Sequence, residues 1–546
     1  MVTGGQLVAR MLKAEGIRHV FTLSGLHVAP IYAGCVEEGI TLVDTRHEQA
    51  AAHAADAYAR LTRGVGVAVV TAGPGVTDAL TGVANAASAS SPLVLLGGAA
   101  PTFNQGRGSL QEIEQVDLFH RIAKWSDRVP SPEAVPLYLA KAFRVALAGR
   151  PGPVFLELAW DVLCNGVDAE GLRLPTRYRT DARVAPDPRK VEAAAALLAK
   201  AARPAVVAGS PIWWDDSAAE LARLCERGQL PVFLNGAARG SLPSSHPLFF
   251  QHSRKEALGN ADVVLVVGTP FDFRLGYGGE PGLAADARVI QVDIDPTELG
   301  RNRAVEVGLI SDSWSALSAL AAAVPEGRRD AHLATLRRAE GEKAAALAKW
   351  TSSDQKPIHH FRLARELSDV AAKTDPLFIG DGGNFVAMAA KVIELPGPGR
   401  WLDPGPLGCL GVGAPFAIAA KLLHPGRTPW VVQGDGSFGF NGMEYETALR
   451  FKLPMVCVVG NDAAWGQIRI PQVELFGVEK SPATLLAPTR YDEIVRAMGG
   501  HGENVTEPSQ IRPALERAAA SGTVACVNVM LDPAAPTKAG AVGYAV

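Results

Sequence analysis

Residues 428–462, TPWVVQGDGSFGFNGMEYETALRFKLPMVCVVGND, decide the fold class because they read as a strand, a helix and a second strand. The apolar runs TPWVVQ and PMVCVV have the length of buried strands, and GMEYETALRF between them suits a helix. Near-continuous apolar strands joined by helices are typical of a parallel sheet that helices cover on both faces. This stretch therefore predicts an α/β fold.

The same alternation extends over the chain of 546 residues in three blocks of similar size. In each block, short apolar strands that end in Gly, Pro or an acid alternate with helices. A polar, Pro-rich stretch at 174–190 reads as a linker, and the charged segment 325–350 reads as a helix that bridges two domains. We predict three doubly wound parallel-sheet domains, at residues 1–165, 186–326 and 357–546.

The composition excludes several classes of protein. Hydrophobic residues make up 48% and charged residues 20% of the chain, which excludes wholesale disorder. Lys and Arg total 53 against 56 for Asp and Glu, so the basic excess that nucleic-acid binding needs is missing. No apolar run approaches the roughly 18 residues of a membrane span, and no secretory signal is read at the N-terminus. The scattered cysteines, without a CxxC pair, indicate reduced thiols, and we predict a cytoplasmic protein.

Polar side chains follow both strands of the opening stretch. Asp435 comes directly after the first strand, and Asn461 comes at the end of the second. If those strands are neighbours, the two side chains meet in the crevice where parallel sheets bind ligands, and their oxygens suit Mg²⁺. Gly434 and Gly436 let backbone N–H groups approach a phosphate, and the helix N-terminus at Ser437 favours the anion. The alternative is a plain strand-to-helix turn with a capping Asp.

The run that opens at Gly434 resembles the thiamine-diphosphate motif, which begins with GDG and closes with a pair of Asn. The chain is thus similar to the thiamine-diphosphate-dependent enzymes of the acetolactate synthase-like superfamily. The resemblance implies thiamine diphosphate and Mg²⁺ as cofactors, with Asp435, Asn461 and the backbone carbonyl of Ala463 as metal ligands. It also implies that the three domains are pyrimidine-binding, middle and diphosphate-binding domains. The chain departs from the motif where Gly460 replaces the first Asn and Asp462 follows the second.

These enzymes need a Glu on a separate domain, where it hydrogen-bonds N1′ of the aminopyrimidine and promotes its imino form. Here Glu48 follows the strand TLVD and opens the helix AAAHAADAYAR, at the position of the family's glutamate. The resemblance implies that Glu48 is catalytic. Read alone, Glu48 is an acid at a helix start, which the helix dipole favours.

Further matches cover nearly the whole chain. The turn at 71–75, the strip at 407–411 and the segment at 380–384 resemble the family's cofactor-binding segments. They imply cofactor contacts at Gly73, Asn85, Asn384, Gly408 and Leu410, with Leu410 as the apolar wedge that holds the cofactor bent. The segment 293–295 resembles the place where relatives bind FAD or ADP, although it also reads as a turn-forming acidic pair. Whether the middle domain holds ADP, FAD or neither stays open.

The first strand-to-helix turn, from Ser24 to His27, is similar to the Gly-x-His turn of benzaldehyde lyase and of the 2-hydroxyacyl-CoA lyase 2 group. The resemblance implies that His27 points at the substrate oxygen and shuttles its proton, for which a neutral imidazole is suited at pH 7. Gln111 resembles an active-site Gln, with a solvated helix face as the alternative. The resemblance implies further substrate-pocket residues: Ser24, Leu26, Trp465, Gln467 and Glu474.

The stretches WLDPGPLGCLGVGAPFAIAAK, VVGNDAAWGQI and FDFRLGYG look most like 2-hydroxyacyl-CoA lyase 2 and its bacterial acetolactate synthase-like relatives. We therefore expect a carbon–carbon lyase that cleaves a 2-hydroxyacyl-CoA to an aldehyde or ketone plus formyl-CoA, or the reverse condensation. One alternative is an acetolactate synthase-like 2-oxo acid decarboxylase and carboligase, since synthases commonly carry a Pro-Gly-Gly-type turn in place of Ser24–His27. Another is a non-catalytic or NAD-binding protein built on Rossmann-like domains.

The resemblance also implies the partners. The substrate is a small molecule, expected to be a CoA thioester, and neither nucleic acid nor membrane is expected. The family sets the Glu of one subunit against the cofactor diphosphate of another, which implies a homodimer at minimum, and a homotetramer is expected. The small, Gly-rich tail at 537–546 is similar to the closing lid of CoA-using decarboxylases and lyases.

Overall fold

The structure, a computed structural model, describes residues 1–168, 170 and 173–535. The predicted lid at 537–546 lies outside the described residues. Within them, three parallel sheets are flanked by helices, which confirms the α/β class with three doubly wound domains. The exact domain boundaries stay a prediction.

The N-terminal sheet has six parallel strands in the order β3-β2-β4-β5-β7-β6, and β1 pairs with β8 in a separate antiparallel ribbon. The strands are β1 (Val2–Thr3), β2 (His19–Thr22), β3 (Thr41–Asp44), β4 (Gly66–Val70), β5 (Leu93–Ala99), β6 (Trp125–Arg128), β7 (Val154–Ala159) and β8 (Gly166–Val167). The helices are α1 (Gly4–Ala14), α2 (Ala29–Glu37), α3 (Glu48–Thr62), α4 (Pro74–Ser88), α5 (Gln115–Phe119), α6 (Val135–Leu147) and α7 (Trp160–Cys164).

The middle sheet has five parallel strands in the order β10-β9-β11-β12-β13. Its strands are β9 (Pro204–Ala208), β10 (Val232–Leu234), β11 (Val263–Val267), β12 (Arg288–Asp293) and β13 (Val307–Ile310). Its helices are α8 (Pro188–Lys200), α9 (Pro211–Trp214), α10 (Ala218–Gly228), α11 (Arg254–Gly259) and α12 (Ser313–Ala323). The predicted charged helix follows as α13 (Asp330–Thr351).

The C-terminal sheet has six parallel strands in the order β15-β14-β16-β17-β19-β18. Its strands are β14 (Pro376–Asp381), β15 (Trp401–Leu402), β16 (Thr428–Gly434), β17 (Met455–Asn461), β18 (His501–Val505) and β19 (Val524–Met530). Its helices are α14 (His360–Ala371), α15 (Gly383–Ala389), α16 (Gly413–Leu423), α17 (Asp435–Asn441), α18 (Glu444–Arg450), α19 (Gly466–Phe476), α20 (Tyr491–Ala497) and α21 (Pro508–Ala520).

Helix α3 joins the N-terminal and C-terminal domains of the chain. Its alanines share one buried apolar cluster with α16, and the ring of His53 on α3 lies 6.2 Å from that of Phe416 on α16. The alanines of α3 are small, so they allow the two helices to pack closely against each other. Because α3 begins at Glu48, this packing fixes the predicted catalytic acid to the C-terminal domain of its own chain.

In each sheet the order of strands reverses between two neighbours: β2 and β4, β9 and β11, and β14 and β16. Open α/β sheets bind ligands in the crevice at such a switch point, outside the carboxyl ends of the strands. The chain therefore offers three crevices of this kind.

Candidate functional site

The structure brings Asp435 and Asn461 to one turn at the C-terminal switch point. Strands β16 and β17 are neighbours in parallel register, with Gly434 opposite Gly460. Ala464 donates its backbone N–H to Oδ2 of Asp435 at 3.2 Å, and Ala463 donates to Oδ1 of Asn461 at 3.1 Å. The carboxylate and the amide oxygen therefore converge, as the sequence predicted.

The donor atoms of this turn fit Mg²⁺. Asn461 donates its amide N–H groups to Thr489 and Asn528, at 2.9 and 3.1 Å, so its carbonyl oxygen is the atom that faces the turn. Burial, and then the charge of Asp462, raises the pKa of Asp435 to about 7, which a bound cation would oppose. A carboxylate, an amide oxygen and a backbone carbonyl are ligands that Mg²⁺ takes. Metal binding by these residues stays a prediction.

The third predicted ligand, the carbonyl of Ala463, already accepts a hydrogen bond from the backbone of Leu486 at 2.7 Å. A carbonyl oxygen has two lone pairs, so one stays free for a cation. Ala463 has a φ of 51°, in the left-handed region. Such a conformation is uncommon for a residue other than Gly and is typical of a constrained turn.

A cavity of about 550 Å³ opens beside this turn. Most of the predicted cofactor and pocket residues of the C-terminal domain line it: Asn384, Gly408, Leu410, Gly434, Gly436, Ser437, Trp465 and Gln467. Leu410 lies directly over Gly382, where a Cβ atom would come within 2.1 Å of its Cδ2. Asp381 holds the strip that carries Leu410, because it accepts backbone hydrogen bonds from Gly411 and Gly413 at 2.8 and 2.9 Å.

A second group of predicted residues meets at the N-terminal switch point. Nδ1 of His27, in a short 3₁₀ turn after β2, lies 2.9 Å from Oγ1 of Thr71, which follows β4. Burial lowers the pKa of His27 below its ordinary 6.5, so the imidazole is neutral at pH 7. Ser24 and Leu26, from the same turn, are exposed, and Leu26 is 76% exposed.

Glu48 lies at the N-terminus of α3 with only 8% of its surface exposed. Burial raises its pKa, and the charge of Asp78 on the neighbouring α4 adds to that shift. Gly75 lies beside the carboxyl, since a Cβ there would lie 3.4 Å from Oε1 of Glu48 and 2.9 Å from Cγ2 of Thr71. The surroundings of Glu48 therefore favour the protonated form of its carboxyl, and the predicted role of Glu48 requires that form.

Gln111 covers the turn at Gly73, where a Cβ would come within 2.6 Å of the Gln111 carbonyl oxygen. Sequence reasoning missed Gln115, which is buried and joins this turn to β5. Gly73 donates its N–H to Oε1 of Gln115 at 3.2 Å, and Nε2 of Gln115 donates to the carbonyl of Gly98 at 2.7 Å. The only signal was a second Gln four residues after Gln111 in the same loop.

Two predicted residues lie apart from these groups. Asn85 is fully buried near the end of α4, about 18 Å along the helix from Gly73, and donates to Asp56 at 3.1 Å. Glu474 is exposed near the end of α19 and does not line the 550 Å³ cavity. Their roles at the cofactor and in the pocket stay predictions.

The N-terminal and C-terminal groups do not share a cavity within one chain. Among the described residues, the lining of the 550 Å³ cavity comes from the C-terminal domain and from Phe273 and Tyr277 of the middle domain. Glu48, His27 and Gln111 are absent from it. We call the C-terminal group the diphosphate half-site and the N-terminal group the pyrimidine half-site.

A larger cavity, of about 700 Å³, lies at the switch point of the middle sheet. Asp293 and Ile294 of the predicted nucleotide segment line it, and burial raises the pKa of Asp293 to about 6. Asp295 instead caps the next turn by accepting from Thr297. The cavity is also lined by Arg150 and by Arg274.

Among the described residues, the helices all lack either the length or the apolar character that crossing a bilayer demands.

Comparison with known proteins identifies the family. The family model described as thiamine pyrophosphate enzyme, N-terminal TPP binding domain, matches residues 2–118. The models for the central domain and the C-terminal TPP binding domain match residues 191–320 and 381–529.

Relatives that match nearly the whole chain include an acetolactate synthase and 2-hydroxyacyl-CoA lyases. The chain is 42% identical to a "Probable acetolactate synthase" of Mycobacterium bovis, over 97% of this chain and 96% of the relative. It is 36% identical to "2-hydroxyacyl-CoA lyase 2" of Caenorhabditis elegans, over 92% and 84%, and 34% identical to the human protein of that name, over 97% and 90%. The chain therefore belongs to the thiamine pyrophosphate enzymes, with the family's two cofactor-binding domains and its central domain.

Proposed function

We propose that this enzyme is a carbon–carbon lyase that cleaves a 2-hydroxyacyl-CoA to an aldehyde or ketone plus formyl-CoA. The observation that carries the proposal is the His27–Thr71 pair, 2.9 Å apart at the switch point of the pyrimidine-binding domain. A neutral imidazole held there is suited to take the proton of a substrate hydroxyl. Thiamine diphosphate, when bound, would supply a nucleophilic carbon and an electron sink for cleavage beside the thioester carbonyl.

The chain's own residues move the protons of this reaction. Glu48 holds a proton at N1′ of the aminopyrimidine, for which its raised pKa suits it. His27 accepts the proton of the C2 hydroxyl as the C1–C2 bond breaks, so C2 leaves as the carbonyl carbon of the aldehyde or ketone. The electron pair of that bond stays on C1, which takes up a proton and leaves as formyl-CoA. Gln111 orients the substrate oxygen beside His27.

The second candidate is acetolactate synthase-like decarboxylation of a 2-oxo acid with carboligation. The 42% identity to the probable acetolactate synthase of Mycobacterium bovis favours it. Both reactions use the same cofactor and the same Glu48, so the domain matches fit either. The turn at Ser24–His27 favours the lyase through its resemblance to the Gly-x-His turn of the lyase group, and not through the proton transfer itself, because a carboligation adduct also carries a hydroxyl that a base must deprotonate.

A turnover assay separates the two reactions. Purified protein with thiamine diphosphate and Mg²⁺ is offered a panel of 2-hydroxyacyl-CoAs and, separately, pyruvate, with products identified by mass spectrometry. The lyase releases formyl-CoA with the matching aldehyde or ketone, and the Glu48→Ala variant loses this activity. Acetolactate or CO₂ from pyruvate, with the CoA esters untouched, would replace the lyase with the synthase.

We infer that the active unit is at least a homodimer, with the homotetramer as the expected assembly. The absence of Glu48 from the lining of the 550 Å³ cavity supports this, because a second copy could supply the Glu48 that a cofactor bound there needs. Mixing Glu48→Gln chains with Asp435→Asn chains tests it. Each mixed dimer regains one intact site, so random mixing restores about a quarter of wild-type activity. A site formed within one chain would regain none.

We infer that the 700 Å³ cavity of the middle domain holds an adenine nucleotide, ADP or FAD. Its place at the switch point of the middle sheet supports this, since open α/β sheets bind ligands there. Arg150 and Arg274 suit a diphosphate. Absorbance of the purified protein reveals bound flavin, and mass spectrometry of the denatured protein reveals ADP. Protein that binds neither when both are titrated would exclude the proposal.

A further inference from the structure

Helix α18 holds the loop that leads into Glu48. Its first residue, Glu444, accepts the backbone N–H of Arg46 at 2.9 Å. Its last residue, Arg450, donates to the backbone carbonyl of Asp44 at 2.6 Å. The two ends of α18 therefore bind the backbone between the end of β3 and the start of α3, each at a different residue.

Glu444 is fixed in its own position. It is 1% exposed, and its second carboxyl oxygen accepts from Oγ1 of Thr447 at 2.7 Å. Burial raises its pKa to about 7, while the N–H groups of Arg46 and His47 favour its charged form. Burying a carboxylate costs free energy unless hydrogen bonds compensate. The bonds from the loop and from Thr447 supply that compensation, so Glu444 and the loop hold each other in place.

The helix also connects the loop to the diphosphate half-site. Helix α17, which begins at Asp435, precedes α18 with a short turn between them. Within its own domain the loop is tied by Thr45, which donates to the carbonyl of Thr22 at 3.0 Å. The contact of Glu444 therefore adds a second anchor, from the domain that carries the metal-site turn.

We propose that Glu444 is a positioning residue for Glu48, which it acts on through the backbone of Arg46. The inference rests on the proposed role of Glu48 at the aminopyrimidine. When Glu444 is lost, the N-terminus of α3 shifts and the Glu48 carboxyl no longer meets N1′ in the right place. Misplacement of a catalytic group by about 1 Å can lower a rate about a hundredfold.

The test measures hydrogen–deuterium exchange at C2 of bound thiamine diphosphate, beside the affinity for thiamine diphosphate with Mg²⁺ and the melting temperature. Glu444→Ala is expected to slow exchange at least about tenfold with the affinity changed less than about threefold. Glu444→Gln keeps an oxygen that can accept from Arg46, so its effect is expected to be smaller.

Glu446→Gln is the matched control. This residue lies on the same helix and pairs with the side chains of Arg46 and Arg450, at 3.8 and 3.3 Å, and among the described residues it accepts no hydrogen bond from the backbone of the loop. Exchange should stay at the wild-type rate. If Glu444→Ala does not fold, Glu444→Gln and Arg450→Met carry the test.

Wild-type exchange in a folded Glu444→Ala variant overturns the inference, or in Arg450→Met where Glu444→Ala does not fold. A loss of exchange that only parallels lost affinity and lowered melting temperature overturns it as well. The failure of the proposed function is a separate result. It appears as wild-type protein that does not catalyse exchange, or as a Glu48→Ala variant that exchanges normally.

Discussion

Replacing Gly436 with Ala should damage the diphosphate half-site while its neighbour on the same helix tolerates the change. A Cβ on Gly436 would lie 2.4 Å from Cζ3 and 2.6 Å from Cε3 of Trp465. Moving the Trp465 ring aside has a cost, because the ring packs edge to face against Phe440 and the backbone N–H of Trp465 is held by the carbonyl of Thr484 at 2.9 Å. Overpacking of this kind costs about 1–3 kcal/mol.

That cost appears as weaker cofactor binding if the free protein relaxes by moving Trp465, since the same ring lines the cavity. At about 1.4 kcal/mol for each factor of ten, the dissociation constant for thiamine diphosphate rises about 5- to 150-fold. Isothermal titration calorimetry with excess Mg²⁺ measures it, and the melting temperature of the free protein reports any strain that is not relaxed.

Gly439→Ala is the matched control, because nothing lies within 4 Å of a Cβ at that position. Alanine is a better helix former than glycine by about 1 kcal/mol, so the control should bind normally and be at least as stable. Equal affinity and equal melting temperature for the two variants would refute the reasoning from Trp465. So would a Gly439→Ala variant as impaired as Gly436→Ala.

Three further predictions follow from the half-sites. Glu48→Gln should lower kcat at least about a hundredfold with little change in cofactor affinity, because it removes proton transfer and no diphosphate contact; steady-state kinetics with calorimetry check this. Wild-type activity should fall only when the pH drops below 6.5, the ordinary pKa of histidine, because burial lowers the pKa of His27 and a protonated His27 cannot accept a proton. The pH–rate profile of the His27→Asn variant should lack this decrease at acidic pH. Chelation of Mg²⁺ should release thiamine diphosphate during gel filtration, with rebinding on readdition of the ion, whereas retention of cofactor in chelator would contradict the predicted metal site.

Most of the diphosphate half-site could be predicted from sequence because its chemistry lies at the ends of neighbouring strands. Gly434 and Gly460 stand opposite each other in the sheet, so Asp435 and Asn461 had to meet once the strands were recognised. Gln115 could not be predicted in the same way. Its contacts with Gly73 and Gly98 depend on how the loop after β5 folds back, and no periodic pattern encodes that path.

Asn85 is a residue whose place sequence spacing alone could not give. It follows the turn at Gly73 closely in sequence, but the intervening helix α4 carries it about 18 Å away and buries it against Asp56. Short sequence separation therefore did not mean proximity here. The α/β class and the three sheets were predictable, since they rest on strand and helix periodicity.

The arrangement of the half-sites explains why similarity alone leaves the substrate open. His27 stands at the switch point of one domain, and Trp465 and Gln467 line the cavity at the switch point of another. If a second copy brings these faces together, the substrate contacts residues that belong to different chains and to distant parts of the sequence. Overall identity averages over both faces and over the rest of the chain, so two relatives can share the cofactor site and differ in reaction. The decisive variants are therefore those in the turn at Ser24–His27, tested in the assembled dimer with CoA esters and pyruvate offered side by side.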